Sequence, residues 1–167
     1  SDGSRCVACH TVSRDGRFLA AELWDGADFG AVFDLTADPA AVPTTTVVPP
    51  DRFRWEYSTF NADSTRLLTN SGFGLALIDP RVGMSVVASG LPARAAQPDW
   101  SPRGNNVAFI NNLEGTWSVD FTRGDLAVMP VTPDDSFGAA RVLVEAASLA
   151  TNAEGGNAIS HPTWSPD

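Results

Sequence analysis

The most chemically specific arrangement in the chain is the five-residue stretch Cys6-Val7-Ala8-Cys9-His10. It holds the only two cysteines and one of the two histidines in 167 residues. Two thiols separated by two residues on one short turn can reach the two vinyl groups of a single porphyrin. An imidazole directly after the second thiol then lies over the iron. C-x-x-C-H is accordingly read as a c-type haem attachment site: one haem c, covalently bound through Cys6 and Cys9, with His10 as proximal ligand. Two plainer readings compete. The cysteines can close a disulfide, or stay a dithiol, that merely precedes a histidine. Zinc could draw on Cys6, Cys9, His10 and His161, but the second C-x-x-C pair that would make zinc convincing is missing.

Composition narrows the setting. A hydrophobic content of 43% is enough for a buried core, and 19% charged residues argues against disorder. The net charge of −9, with eleven arginines dispersed and no lysine, excludes nucleic acid as a partner, because phosphates need basic side chains to neutralise them. No apolar stretch reaches the ~20 residues of a membrane helix, so no direct membrane span is expected. Ser1–Arg5 lacks the hydrophobic region of a secretory signal. Haem of this kind is attached outside the cytoplasm, so the expected location is the periplasm or the cell surface, with the sequence a mature or trimmed form.

The elements that would position the motif come from an internal repeat. Thr11-Val12-Ser13-Arg14-Asp15-Gly16 aligns with Asp99-Trp100-Ser101-Pro102-Arg103-Gly104 and with Thr163-Trp164-Ser165-Pro166-Asp167, and more weakly with Thr59-Phe60-Asn61-Ala62-Asp63-Ser64. After each of the first three anchors (Ser13, Asn61 and Ser101; Ser165 is the fourth) come a polar turn and an apolar run: Phe18–Ala21, Arg66–Thr69 and Val107–Ile110. Further β-type segments follow in each unit, separated by Gly and Pro. This predicts antiparallel meanders of four short strands at a period of roughly 40–50 residues. The fold class is all-β, a β-propeller of four-stranded antiparallel blades at about 11–54, 55–96 and 97–160, with a fourth starting at 161–167. Three and a quarter blades do not close a ring, so the expectation is a fragment of a larger propeller, or a ring whose open edge another chain completes or covers.

The W-S-P-D/R-G motif followed by an apolar strand resembles the blade repeat of TolB-like propellers, relatives of WD-type repeats. The likeness runs over nearly the whole chain and is weakest in the second unit. It implies a propeller that is frequently envelope-associated and used for protein contacts, and it implies no reaction.

By repeat alignment His10 is equivalent to Ser58, Pro98 and Pro162, where each first strand begins at the mouth of the central channel. The Cys6–Cys9 turn is expected there. The connection Leu113–Gly124 in the third unit reads as a loop insertion that helps wall the haem, with Trp117 and Phe121 as apolar contacts and Arg123 as a propionate partner. An ordinary surface loop is the plainer alternative. For the sixth iron ligand, Met84 falls on the opposite face and Met129 reads as core. His161, near the axis on the face of His10, is the remaining candidate, giving bis-histidine coordination. Trp100 and Trp164 share a repeat position and read as inter-blade core, as do Trp24 and Trp55 beside strands. Asp99 alone is a weak cation signal.

The leading functional expectation is therefore a monohaem c-type cytochrome that transfers electrons to a redox protein partner or within a larger membrane or envelope complex. The alternative is a haem-less envelope propeller that binds or scaffolds proteins, its Cys6 and Cys9 joined as a disulfide. An enzyme is not expected: G-x-S-x-G and H-E-x-x-H are both missing. Peroxidase-type haem chemistry would need an open sixth position and a distal acid or base.

Overall fold

The computed structural model describes residues 6–24, 28–36, 46–47, 54–151 and 157–165. Three antiparallel four-stranded meanders account for most of them. The first comprises β1 (Cys6–Val12), β2 (Phe18–Trp24), β3 (Asp28–Asp34) and β4 (Thr46–Val47). The second comprises β5 (Tyr57–Phe60), β6 (Leu67–Ser71), β7 (Gly74–Asp79) and β8 (Met84–Val86). The third comprises β9 (Ala95–Trp100), β10 (Asn106–Trp117), β11 (Asp120–Pro130) and β12 (Arg141–Val144). A short β13 (Asn157–Ala158) pairs in parallel with β11. Helix is limited to one 3-10 turn, Ala146–Ser148, among the described residues.

The repeat works through backbone chemistry. Each anchor side chain accepts a hydrogen bond from the N–H five residues on: Ser13 from Phe18 at 2.8 Å, Asn61 from Arg66 at 2.9 Å, and Ser101 from Asn106 at 3.1 Å. This bond closes the first hairpin of every blade. The chain can turn because the third residue after each anchor takes a left-handed backbone: Gly16 at φ +71°, Ser64 at +61° and Gly104 at +74°. Inside the same turns Asp15 accepts from the Ser13 hydroxyl and the Arg17 N–H, and Asp63 from the Thr65 hydroxyl and N–H. The hydroxyl bonds first, and then the N–H bonds, lower both carboxyl pKa values. Asp15, Asp63 and their anchors are turn-forming groups, as expected.

The blades pack face to face, with each first strand beside the next: β1 against β5 and β5 against β9. Successive side chains of a strand point to opposite faces, so a blade buried on both sides feeds two cores. Leu67 and Ile78 join Phe18, Ala20, Val32, Trp55 and Phe60 between blades one and two. Their neighbours Leu68 and Leu77 join Trp100, Val107, Phe109 and Met129 between blades two and three. Phe60 and Trp100, at one repeat position, are 3% and 2% exposed, whereas the equivalent Val12 is 51% exposed on the outer face of blade one. Trp55 seats directly on Gly30 of β3, where an added Cβ would lie 2.1 Å from the indole.

Two expectations are corrected. Residues 6–9 are part of strand β1, paired Cys6 to Trp24, Val7 to Leu23 and Ala8 to Glu22, and do not form a short turn. The ladder with β2 outweighs the local tendency of C-x-x-C to curl. Leu113–Gly124 is likewise no loop: β10 and β11 run on as one long hairpin, with Glu114 paired to Arg123, Gly115 to Phe121 and Trp117 to Asp120. Cross-strand pairing satisfies backbone groups that a loop would leave to water.

Gly30→Ala should overpack the contact between blades one and two and lower unfolding stability by about 3 kcal/mol, the upper part of the range for such insertions. Urea denaturation of the two proteins side by side measures this. An unchanged midpoint would mean that Trp55 can leave its seat freely.

Candidate functional site

The side chains four residues before each anchor are Cys9, Tyr57, Gln97 and His161. They occupy equivalent repeat positions, in β1, β5 and β9 and in the extended segment after β13, and they form one contiguous rim. The Tyr57 ring meets the His161 imidazole edge-on, with centroids 5.6 Å apart. Gln97 Oε1 accepts the His161 N–H at 2.7 Å, and the Gln97 side chain also bonds the Tyr57 hydroxyl. The Cys9 thiol bonds to Glu22 and lies near enough to Tyr57 for their charges to interact. Three of the four have left-handed backbones: Cys9 at φ +45°, Gln97 at +53° and His161 at +53°. Such conformations are uncommon outside glycine and asparagine, and here they recur at one repeat position. At Cys9 the cause is visible: the register jumps between Ala8 and Thr11, so Cys9 and His10 form a bulge released from the ladder.

Behind this rim lies a buried carboxylate that sequence reasoning missed. Glu56 is 2% exposed, next to the fully buried Trp55. Its Oε2 accepts from Asn70 Nδ2 at 2.9 Å, Gly72 N at 3.1 Å and Ser118 Oγ at 3.1 Å. Its Oε1 lies 3.3 Å from Arg54 Nε, which also lies 3.3 Å from Glu22 Oε1. A carboxylate this buried is accommodated by such pairing and hydrogen bonding. The two acids set the thiol's chemistry. Burial first, and then the charges of Glu22 and Glu56, push the Cys9 thiol up to about 11. Burial, followed by the charge of Cys9, likewise raises the Tyr57 hydroxyl.

The structure disperses the residues the sequence singled out. Cys9 is half-buried and carries a free thiol; the disulfide of the alternative reading is not formed here. Of Cys6 only the backbone, in β1, is described. His10 is exposed, and so is His161. Trp117 lies over the Arg54 guanidinium at 4.9 Å. Phe121 packs with Phe73 and Ile159 against Ala96, Ile110 and Leu113, and Arg123 pairs with Glu114 of the same hairpin at 3.3 Å. Phe121 and Arg123 thus serve the hairpin, and Trp117 alone of the three approaches the rim. Met129 is buried core, and Met84 is exposed in the outer strand β8. Asp99 joins blades: it accepts from Trp164 N at 2.9 Å, and its backbone carbonyl accepts the Trp164 indole N–H. The side chain of Trp24 lies outside the described residues.

Among the described residues no group of three or more His, Cys, Asp or Glu side chains is arranged to hold a metal ion. No helix there is long and apolar enough to cross a membrane. The donor set at the start of β1 does suit a c-type haem in kind: a free thiol in a bulge, an exposed imidazole beside it, and a second cysteine three residues earlier. The backbone carrying it is extended and paired up to Ala8.

No family model matches the sequence, and no curated protein matches it as a relative. Solved structures resemble its fold. TolB from Acinetobacter baumannii aligns with a TM-score of 0.57 and 13% identity over 83% of this chain and 32% of that one. A eukaryotic initiation factor gives 0.54 and 13% over 86% and 34%. Prolyl oligopeptidase B from Galerina marginata gives 0.51 and 14% over 85% and 23%. The chain therefore has a TolB-like β-propeller fold and spans about a third or less of each of these structures.

The Cys9 thiolate should form with a midpoint near pH 11 in a Cys6→Ser background, against the ordinary 9.0. Because the folded state holds this proton more tightly than the unfolded chain, stability should fall as pH rises from 9.0 to about 11. Glu22→Gln should move the midpoint downward. Thiolate absorbance during alkaline titration reads both, and a midpoint near 9 would remove the acidic pair as its cause.

Proposed function

We propose that the chain is the haem-bearing part of an electron-transfer protein, a monohaem c-type cytochrome built on a TolB-like propeller and placed in the periplasm or at the cell surface. The observation that supports this best is the Cys9-His10 bulge. It releases the second thiol and the imidazole of C-x-x-C-H from the β-ladder, on the rim that also carries His161.

Cys6 and Cys9 would hold the ring through thioether bonds, each thiol adding across one vinyl group, and His10 would be the proximal ligand. When bound, haem would supply a one-electron Fe(III)/Fe(II) couple. His161 is the chain's candidate for the second axial position. The Tyr57 ring edge and the Gln97 amide, both of which contact His161, fix where its backbone and imidazole sit. Glu22 accepts the Cys9 thiol and pairs with Arg54, which tempers the negative charge of Glu22 and Glu56 near the attachment point. The net charge of −9 favours a basic redox partner through long-range steering. A further chain covering the exposed Val12 face would embed the protein in a larger assembly.

Protein exported with haem-attachment machinery should give a c-type pyridine haemochrome spectrum that survives acid–acetone extraction. Cys9→Ala should leave at most one thioether, and His161→Ala should convert a low-spin ferric spectrum to a high-spin one. A colourless exported protein would overturn the cytochrome reading and leave the protein-binding propeller. A coloured protein indifferent to His161→Ala would overturn only the axial assignment.

A further inference from the structure

The outer half of the β10–β11 hairpin differs from the rest of blade three. Over residues 111–117 its register breaks three times in succession, and Gly115 takes φ +149° where a Cβ would lie 2.5 Å from Phe121 Cα. Only glycine lets the two strands approach so closely at that point. Within and beyond this weak stretch Glu114, Thr116, Val119 and Asp120 are exposed, yet Ser118 at the tip is completely buried. The tip is fastened by contacts with other elements. Ser118 Oγ donates to Glu56 Oε2 of blade two at 3.1 Å, and Ser118 O receives Gln97 Nε2 at 3.5 Å. Trp117 lies on Arg54 and comes within 3.8 Å of where a Gly72 Cβ would be.

We propose that this hairpin is a latch over the buried Glu56 layer, hinged at its bulged residues 111–117 and held shut by the Ser118–Glu56 hydrogen bond. Glu56 is the shared element. The latch docks on one of its oxygens, and its other oxygen meets Arg54, which also pairs with Glu22, the acceptor of the Cys9 thiol. Opening the latch therefore uncovers the polar layer that backs Cys9 and makes the thiol reachable by solutes. Beyond its own ladder and the packing of Phe121 beside Phe73, the tip is held shut by one charge-assisted hydrogen bond, one long hydrogen bond and one cation–π contact. Loss of the first suffices to shift the balance, since hydrogen bonds to charged groups are the stronger kind.

The test combines backbone amide exchange with alkylation of Cys9, in Cys6→Ser protein produced in the cytoplasm so that the thiol is free. Neither readout depends on the cytochrome reading. Ser118→Ala should raise exchange at residues 114–121 about tenfold or more. It should leave 106–111 and 125–130 near parental rates and speed Cys9 alkylation by a similar factor, with the urea midpoint lowered only by the loss of that one hydrogen bond. Glu56→Gln, which keeps an acceptor in place, should raise exchange at 114–121 to a smaller extent and serves if Ser118→Ala folds poorly. Its alkylation is compared at equal thiolate fraction, because loss of the Glu56 charge also eases Cys9 ionisation. Exchange at 114–121 that does not change, or that rises equally along the whole hairpin, would overturn the latch. Faster hairpin exchange with unchanged alkylation would overturn its control of Cys9.

Discussion

A hydrogen bond between neighbouring blades fixes everything else in the molecule. Two residues before its anchor, each of the second and third blades carries a side-chain oxygen that accepts the backbone N–H one residue before the next anchor. Thr59 Oγ1 accepts from Trp100 N at 3.0 Å, and Asp99 Oδ2 accepts from Trp164 N at 2.9 Å. Isolated four-stranded meanders of this size have too little buried surface to stand alone. The bond locks first strands in register and presses Phe60 and Trp100 into successive cores. In blades one and three the fourth residue before the anchor falls at a break in the ladder, between Ala8 and Thr11 and between Ala96 and Asp99, just beyond the locked segment. The rim of Cys9, Tyr57, Gln97 and His161 is thus a by-product of stacking, built before any chemistry is assigned to it.

That rim is polar, and the layer behind it is charged. Two carboxylates, one of them buried, share a single guanidinium. Such an arrangement stabilises the fold little, since desolvation offsets most of the attraction. Its consequence is an environment: burial first, and then the neighbouring acids, keep the Cys9 thiol protonated, and a protonated thiol is a poor nucleophile toward adventitious oxidants and alkylating agents.

The fold was legible because its signals are local. A serine or asparagine anchor, a left-handed turn residue and an apolar strand are chemically required within a few positions of one another, so Ser13, Asn61 and Ser101 announced the blades. The site was legible only in outline. Cys9, His10 and His161 could be placed at the channel mouth by repeat arithmetic. The same arithmetic also pointed to Tyr57 and Gln97, whose lack of resemblance to haem ligands hid them. Glu56 was invisible for another reason: it is buried by Ser118, sixty-two positions away along the chain. The turn expected at Cys6–Cys9 and the loop expected at Leu113–Gly124 failed alike, since composition reports local preference and the β-ladder with a neighbour overrides it.

The seating of Trp55 on Gly30 has a consequence for the history of the sequence. The indole occupies the volume that any side chain at position 30 would need, so neither position can change size alone without a void or a collision. Across lineages the two should therefore vary together, a small residue in one blade accompanying a large one in the next. A pair of sites far apart along the chain would then carry a record of how these blades came to fit.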